Sequence, residues 1–151
     1  MRIFLDTADT EVISKYFSTG LIDGVTTNPS LIMKSGRVPD EVYKEIKEIG
    51  VPDISMEVMG NDLEMYDEGI RLFETFGSVC TVKVPCTREG LIVCKRLAEQ
   101  GINVNVTLIF SAPQAVLAAK AGATYVSPFV GRLDDQQVAG LEVVRAISDL
   151  Y

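Results

Sequence analysis

Thr81-Val82-Lys83-Val84-Pro85 is a run of β-formers with a cation at its centre. In a strand, successive side chains point to opposite faces. Val82 and Val84 therefore fall on one face, and Thr81 and Lys83 on the other. The same division recurs along the chain. Ile3 and Leu5, Val25, Met56 and Val58, Val104, Val106 and Leu108, and Val126 form an apolar face. Asp6, Thr26 and Asn28, Ser55 and Glu57, Asn105 and Thr107, and Ser127 form the opposite one. These residues lie in the β-rich runs Ile3–Asp6, Gly24–Asn28, Ile54–Met59, Val79–Val84, Asn103–Ile109 and Tyr125–Val130.

Helical periodicity separates the runs. The apolar stripes are Val12-Ile13-Tyr16-Phe17, Val42-Ile46-Ile49, Tyr66-Ile70-Phe73, Leu91-Cys94-Leu97-Ala98, the Ala-rich 113–121 and Val138-Leu141-Val144-Ile147. Asn61 with Glu64 reads as a capping box. Thr87 and Ser111 read as N-caps, with Pro113 in the first turn of its helix. Gly20, Gly50, Gly77, Gly101 and Gly122 each stand between a helical stripe and a strand, where a left-handed cap favours glycine. Strands alternating with helices predict a parallel sheet with right-handed crossovers.

An open doubly wound sheet is covered by helices on both faces, so both strand faces should be apolar. Polar groups repeated on one face would be buried there at a cost. In a (β/α) barrel they converge at the mouth, where active sites sit. The parity therefore predicts an α/β fold of the (β/α)8 TIM-barrel type. Eight units need roughly 200–250 residues. This chain of 151 residues carries six, so residues 1–151 read as a single incomplete barrel domain, truncated after about six βα units.

Composition narrows the function. Apolar residues make up 47% and charged residues 23%, which is globular. The net charge of −7 and the lack of a basic patch argue against nucleic acid as a partner. No apolar run reaches the length of a membrane span, and the N-terminal one is too short for a signal peptide. Cys80, Cys86 and Cys94, odd in number and without C-x-x-C spacing, suit reduced thiols and a cytoplasmic location. Histidine is absent, which excludes His-dependent triads and His-ligated metals. Proton transfer is left to Asp, Glu, Lys, Tyr or water.

Lys83 has two readings: a lysine snorkelling from a strand end, or a Schiff-base nucleophile. Apolar surroundings disfavour an ammonium, and a neutral amine attacks carbonyls. Asp6 and Glu57 share its parity face as general acid and base, or else Asp6 caps the first helix and Glu57 pairs with Lys83. Asn28, Asn105, Thr107 and Ser127 offer hydrogen bonds suited to a polyhydroxylated substrate, or to a satisfied internal network. Thr26 and Thr27 read as β-branched packing. Arg132 can grip a phosphate bidentately or pair with Asp134 or Asp135.

Five blocks closely resemble the transaldolase family. They are Leu5-Asp6-Thr7-Ala8, Gly24-Val25-Thr26-Thr27-Asn28-Pro29-Ser30, Val82-Lys83-Val84-Pro85, Asn105-Val106-Thr107-Leu108-Ile109-Phe110 and Ser127-Pro128-Phe129-Val130-Gly131-Arg132-Leu133-Asp134-Asp135. The likeness is to the short, single-domain branch that also holds fructose-6-phosphate aldolases. It implies a class I aldolase barrel transferring a dihydroxyacetone unit between sugar phosphates (fructose 6-phosphate or sedoheptulose 7-phosphate as donor) in the pentose phosphate pathway. By that likeness Lys83 forms the imine, and Asp6 takes the proton of the donor's C4 hydroxyl. Glu57 and Thr107 hold the relay water, and Asn28, Asn105 and Ser127 bind hydroxyls. Phe129 lines the pocket and Arg132 holds the phosphate. Glu57 and Phe129 stand where the aldolase branch usually carries Gln and Tyr, which favours transfer over cleavage. The iminium is the electron sink, so no metal or cofactor is expected.

The resemblance also implies a homo-oligomer. It implies two further βα units as well, the first carrying a Ser and an Arg that complete the phosphate site. With Arg132 alone, each lost charge-assisted bond weakens phosphate binding by roughly 1.5–3 kcal/mol. A fragment of a longer gene, a chain completed by a partner, and a catalytically silent barrel acting by association all fit this departure.

Overall fold

The computed structural model describes residues 1–151. The strands are β1 (Phe4–Asp6), β2 (Gly24–Thr26), β3 (Ile54–Glu57), β4 (Cys80–Pro85), β5 (Val104–Ile109) and β6 (Tyr125–Pro128). The helices are α1 (Thr10–Phe17), α2 (Pro29–Ser35), α3 (Pro39–Ile49), α4 (Asp62–Phe76), α5 (Arg88–Ala98), α6 (Ala112–Lys120), α7 (Val130–Asp135) and α8 (Gly140–Leu150). The strands stand in the sheet in chain order, β1-β2-β3-β4-β5-β6. β1 with β2, β2 with β3, and β5 with β6 are parallel. A doubly wound sheet reverses direction at a switch point. Unbroken chain order is instead that of successive units of an α/β barrel, so the fold is the predicted (β/α) type with six units present.

Local chemistry explains the boundaries. The Asn61 side chain accepts the Glu64 amide and the Glu64 carboxylate accepts the Asn61 amide, both at 2.9 Å, closing the expected capping box. Thr87 accepts the Gly90 amide at 3.0 Å, and Ser111 accepts the Gln114 amide at 3.5 Å. All five punctuating glycines have positive φ. Two helices escaped the sequence reading. α2 is short and has no long stripe, and Pro39 opens a separate α3 after the left-handed Gly36. α7 likewise precedes the stripe that becomes α8, leaving Val138 exposed ahead of it.

The chain divides into two compact units, Met1–Glu57 with Gly69–Val82, and Val58–Glu68 with Lys83–Tyr151. In the first, Ile13, Val25, Val42, Ile46, Ile54 and Met56 are completely buried. Tyr43 meets Phe76 edge-on at 5.8 Å. Arg71 grips Asp40 with two bonds of 2.8 and 2.9 Å, and Lys47 donates to the Phe76 carbonyl.

In the second unit, Val93, Cys94, Leu97, Val104, Val106, Ala115 and Ala118 form the core. α8 packs on α6 and α7, and the Tyr151 hydroxyl donates to the Ala115 carbonyl. No helix is long and apolar enough to cross a membrane.

Candidate active site residues

In the first unit, register aligns Asp6 with Thr26 and Thr26 with Ser55. The Thr26 hydroxyl donates to Asp6 Oδ1 at 2.9 Å. Asp6 is exposed, and it is not the cap of α1: Asp9 accepts the Glu11 and Val12 amides at 3.0 and 3.1 Å. Thr26 is thus a polar partner of a candidate acid–base group, where the sequence suggested only packing. The pairing spans twenty residues and depends on strand register, so no local signal announces it.

Buried Thr27 donates to the Ser55 carbonyl at 2.9 Å, fixing the backbone between Thr26 and Asn28. Asn28 is half-buried and caps α2, its Oδ1 accepting the Leu31 amide at 3.0 Å. That bond occupies its carbonyl and fixes the amide plane. Glu57 closes β3 and is half-buried.

In the second unit, the Lys83 residue is 5% exposed, in a strand whose Val82 and Val84 are fully buried. The Lys83 carbonyl accepts the Val58 amide at 3.0 Å. Asn105 is 3% exposed, and its Oδ1 accepts the Ser127 hydroxyl at 2.9 Å. This pair joins two predicted hydroxyl-binding residues on neighbouring strands. Thr107 is 1% exposed, and its hydroxyl makes no hydrogen bond within the protein. Buried polar groups nearly always find partners, so the exception asks for a reason.

Phe129 is half-buried and tilted against Phe110 at 5.7 Å. The exposed Arg132 guanidinium lies 5.4 Å from the Phe129 ring centre. It does not pair with Asp134, whose carboxylate accepts the Gly140 amide at 2.9 Å. Phe110 ends the Asn105–Phe110 block of the sequence. Its contact with Phe129 makes it part of the aromatic surface under Arg132.

Burial disfavours the thiolate form of all three cysteines. Burial pushes Cys80 up to about 12, aided by the nearby Asp53 charge, and Cys94 up to about 11. Burial also raises Cys86. Burial lifts the Tyr43 phenol to about 12, against a hydrogen bond with Thr27 and reinforced by the Glu57 charge. None of these groups is a ready nucleophile near neutral pH.

A family model described as transaldolase/fructose-6-phosphate aldolase matches residues 3–151. A probable transaldolase of Hyphomonas neptunium is 54% identical over 152 aligned positions, covering all of this chain and 70% of the relative. One of Nitrosopumilus maritimus is 51% identical, covering all of this chain and 68% of its own length. The carboxyl transferase domain of Rhizobium etli pyruvate carboxylase, solved with oxamate and biotin, superposes with a TM-score of 0.56 at 16% identity. That match covers 83% of this chain and 26% of the other, and it bears on the fold alone.

Proposed function

The chain belongs to the transaldolase/fructose-6-phosphate aldolase family, and from that premise we propose that it transfers a dihydroxyacetone unit between sugar phosphates through an imine on Lys83. The observation that carries this reading is the near-complete burial of Lys83, which is 5% exposed. Lysine is rarely buried, and an amine shielded from bulk water suits imine formation.

The Lys83 amine adds to the ketose carbonyl, and water leaves to give an iminium. Asp6, oriented by the Thr26 hydroxyl, takes the proton of the C4 hydroxyl. The C3–C4 bond then breaks, its electron pair flows into the iminium to form an enamine, and the aldose departs. The enamine adds to the acceptor aldehyde, whose oxygen takes the proton back from Asp6, and water hydrolyses the resulting iminium to release the new ketose and restore the Lys83 amine.

Thr107 and Glu57 hold that water. The buried Thr107 hydroxyl, which has no partner within the protein, suits the task. Asn105 with Ser127, and the amide group of Asn28, bind hydroxyls of the donor. Arg132, above Phe129, receives the phosphate. The reading places the protein in the pentose phosphate pathway of the cytoplasm, as a homo-oligomer.

Borohydride reduction in the presence of fructose 6-phosphate tests the central step. A reduced adduct is expected on the peptide carrying Lys83, and its absence removes the imine mechanism. Added erythrose 4-phosphate then separates the two activities of the family. Sedoheptulose 7-phosphate is the expected product; free dihydroxyacetone in its place would make the chain an aldolase.

A further inference from the structure

The backbone of β5 is irregular beside the unpartnered Thr107 hydroxyl. Simple alternation would put Val104, Val106 and Leu108 on one side of the strand. The register with β6 breaks that pattern: Val106 aligns with Val126, and Ile109 with Pro128. Val126 and Pro128 are two apart and share a side, so Ile109 follows Val106 onto it. Thr107 and Leu108 together oppose Ser127, which is a β-bulge.

Leu108 carries the extra residue in a left-handed conformation, with φ of 60°. Side chains other than Gly, Asn and Asp meet a steric cost there. The only other non-glycine residue of this kind, Gln137, lies exposed between α7 and α8. The distortion is clamped on both sides. The Cys86 amide donates to the Thr107 carbonyl at 2.8 Å, and the Phe129 amide donates to the Ile109 carbonyl at 3.0 Å.

We propose that the left-handed turn at Leu108 is the positioning device for Thr107, aiming its buried hydroxyl at the imine chemistry instead of at a protein acceptor. Two independent oddities at consecutive residues support it: a strained leucine and a buried oxygen without a partner. Strain of this type persists where the surrounding structure enforces it, and it collects at functional sites. The inference rests on the imine reading above. Leu108 is a positioning residue that need not touch substrate.

Two substitutions at Leu108 separate backbone from side chain. Leu108→Asn keeps tolerance of the left-handed turn and loses apolar volume. Leu108→Ile keeps the volume and disfavours the turn. Circular dichroism verifies that each variant is folded. The rate of borohydride-trapped adduct formation with fructose 6-phosphate is measured for both, for Thr107→Ala and for the Leu108→Ile/Thr107→Ala double variant.

Leu108→Asn is expected within about twofold of the parent, with Leu108→Ile and Thr107→Ala each about tenfold slower. The double variant is expected to be no slower than the slower single one, because both changes act through one hydroxyl. The reverse order, with Asn slow and Ile fast, would make side-chain packing the cause and overturn the proposal. Multiplying effects in the double variant would overturn it too.

Hydrogen exchange of the Cys86 amide gives a reading independent of chemistry. Exchange about tenfold faster in Leu108→Ile but unchanged in Leu108→Asn supports the device. Unchanged exchange in Leu108→Ile defeats it. If the parent forms no adduct, the imine reading fails, and the exchange result alone then decides whether Leu108 places Thr107.

Discussion

At the residue scale, the site readings rest on how few groups suit each task. Lys83→Ala should abolish borohydride-trapped adduct while leaving the far-ultraviolet circular dichroism unchanged. Glu57→Gln should shift activity from transfer toward cleavage. That shift is measured as the ratio of sedoheptulose 7-phosphate to free dihydroxyacetone, and an unmoved ratio leaves Glu57 without the assigned role.

Arg132 is separable from both. It is exposed and free of Asp134, which is committed to the Gly140 amide. Arg132→Ala should raise KM for a phosphorylated donor about tenfold or more, the loss of one charge-assisted contact of roughly 1.5–3 kcal/mol. An equal rise for an unphosphorylated donor would mean that Arg132 does not read the phosphate.

At the element scale, the β4–α5 junction shows how tightly a strand end is held. Gly90 lies in the first turn of α5, and a Cβ added there would sit 1.9 Å from the Pro85 carbonyl oxygen. Thr87 accepts the Gly90 amide in the same turn. The helix start therefore bears directly on the end of the strand that carries Lys83. Gly90→Ala should destabilise the protein by about 1–3 kcal/mol, the usual cost of forcing atoms into a filled space. Urea unfolding measures it. A loss of a few tenths would mean that the backbone yields easily there.

At the scale of the whole molecule, the buried acids set an alkaline limit. Cys80 rises from 9.0 to about 12, Cys94 from 9.0 to about 11, and Tyr43 from 10.0 to about 12. Each is neutral when protonated, and the folded chain holds its proton to higher pH than the unfolded chain. Stability from these groups is complete below pH 9 and is lost as pH rises toward 12. The urea midpoint should stay level from about pH 7 to 8.5 and fall above about 9. Cys80→Ala should lower the midpoint throughout by opening a cavity, yet flatten its alkaline fall. A fall of unchanged steepness would remove Cys80 as a contributor.

The same scale separates what was legible in the chain from what was not. Period-two alternation around Lys83, the capping pairs and the recurring glycines are local signals, because steric and hydrogen-bonding preferences act within a few residues. They determined the order of elements, the α/β barrel class and the polar residues at the strand ends. Short α2 and α7 were lost because a helix of six or seven residues shows too little periodicity.

Tertiary structure alone decided the rest. Thr26 serves Asp6, Asn105 meets Ser127, Phe110 braces Phe129, and Leu108 turns left-handed beside a hydroxyl without a protein partner. Each depends on the register or packing of strands about twenty residues apart in the chain. That register is set by how the whole sheet buries its apolar side chains, a collective balance that no short window of sequence contains.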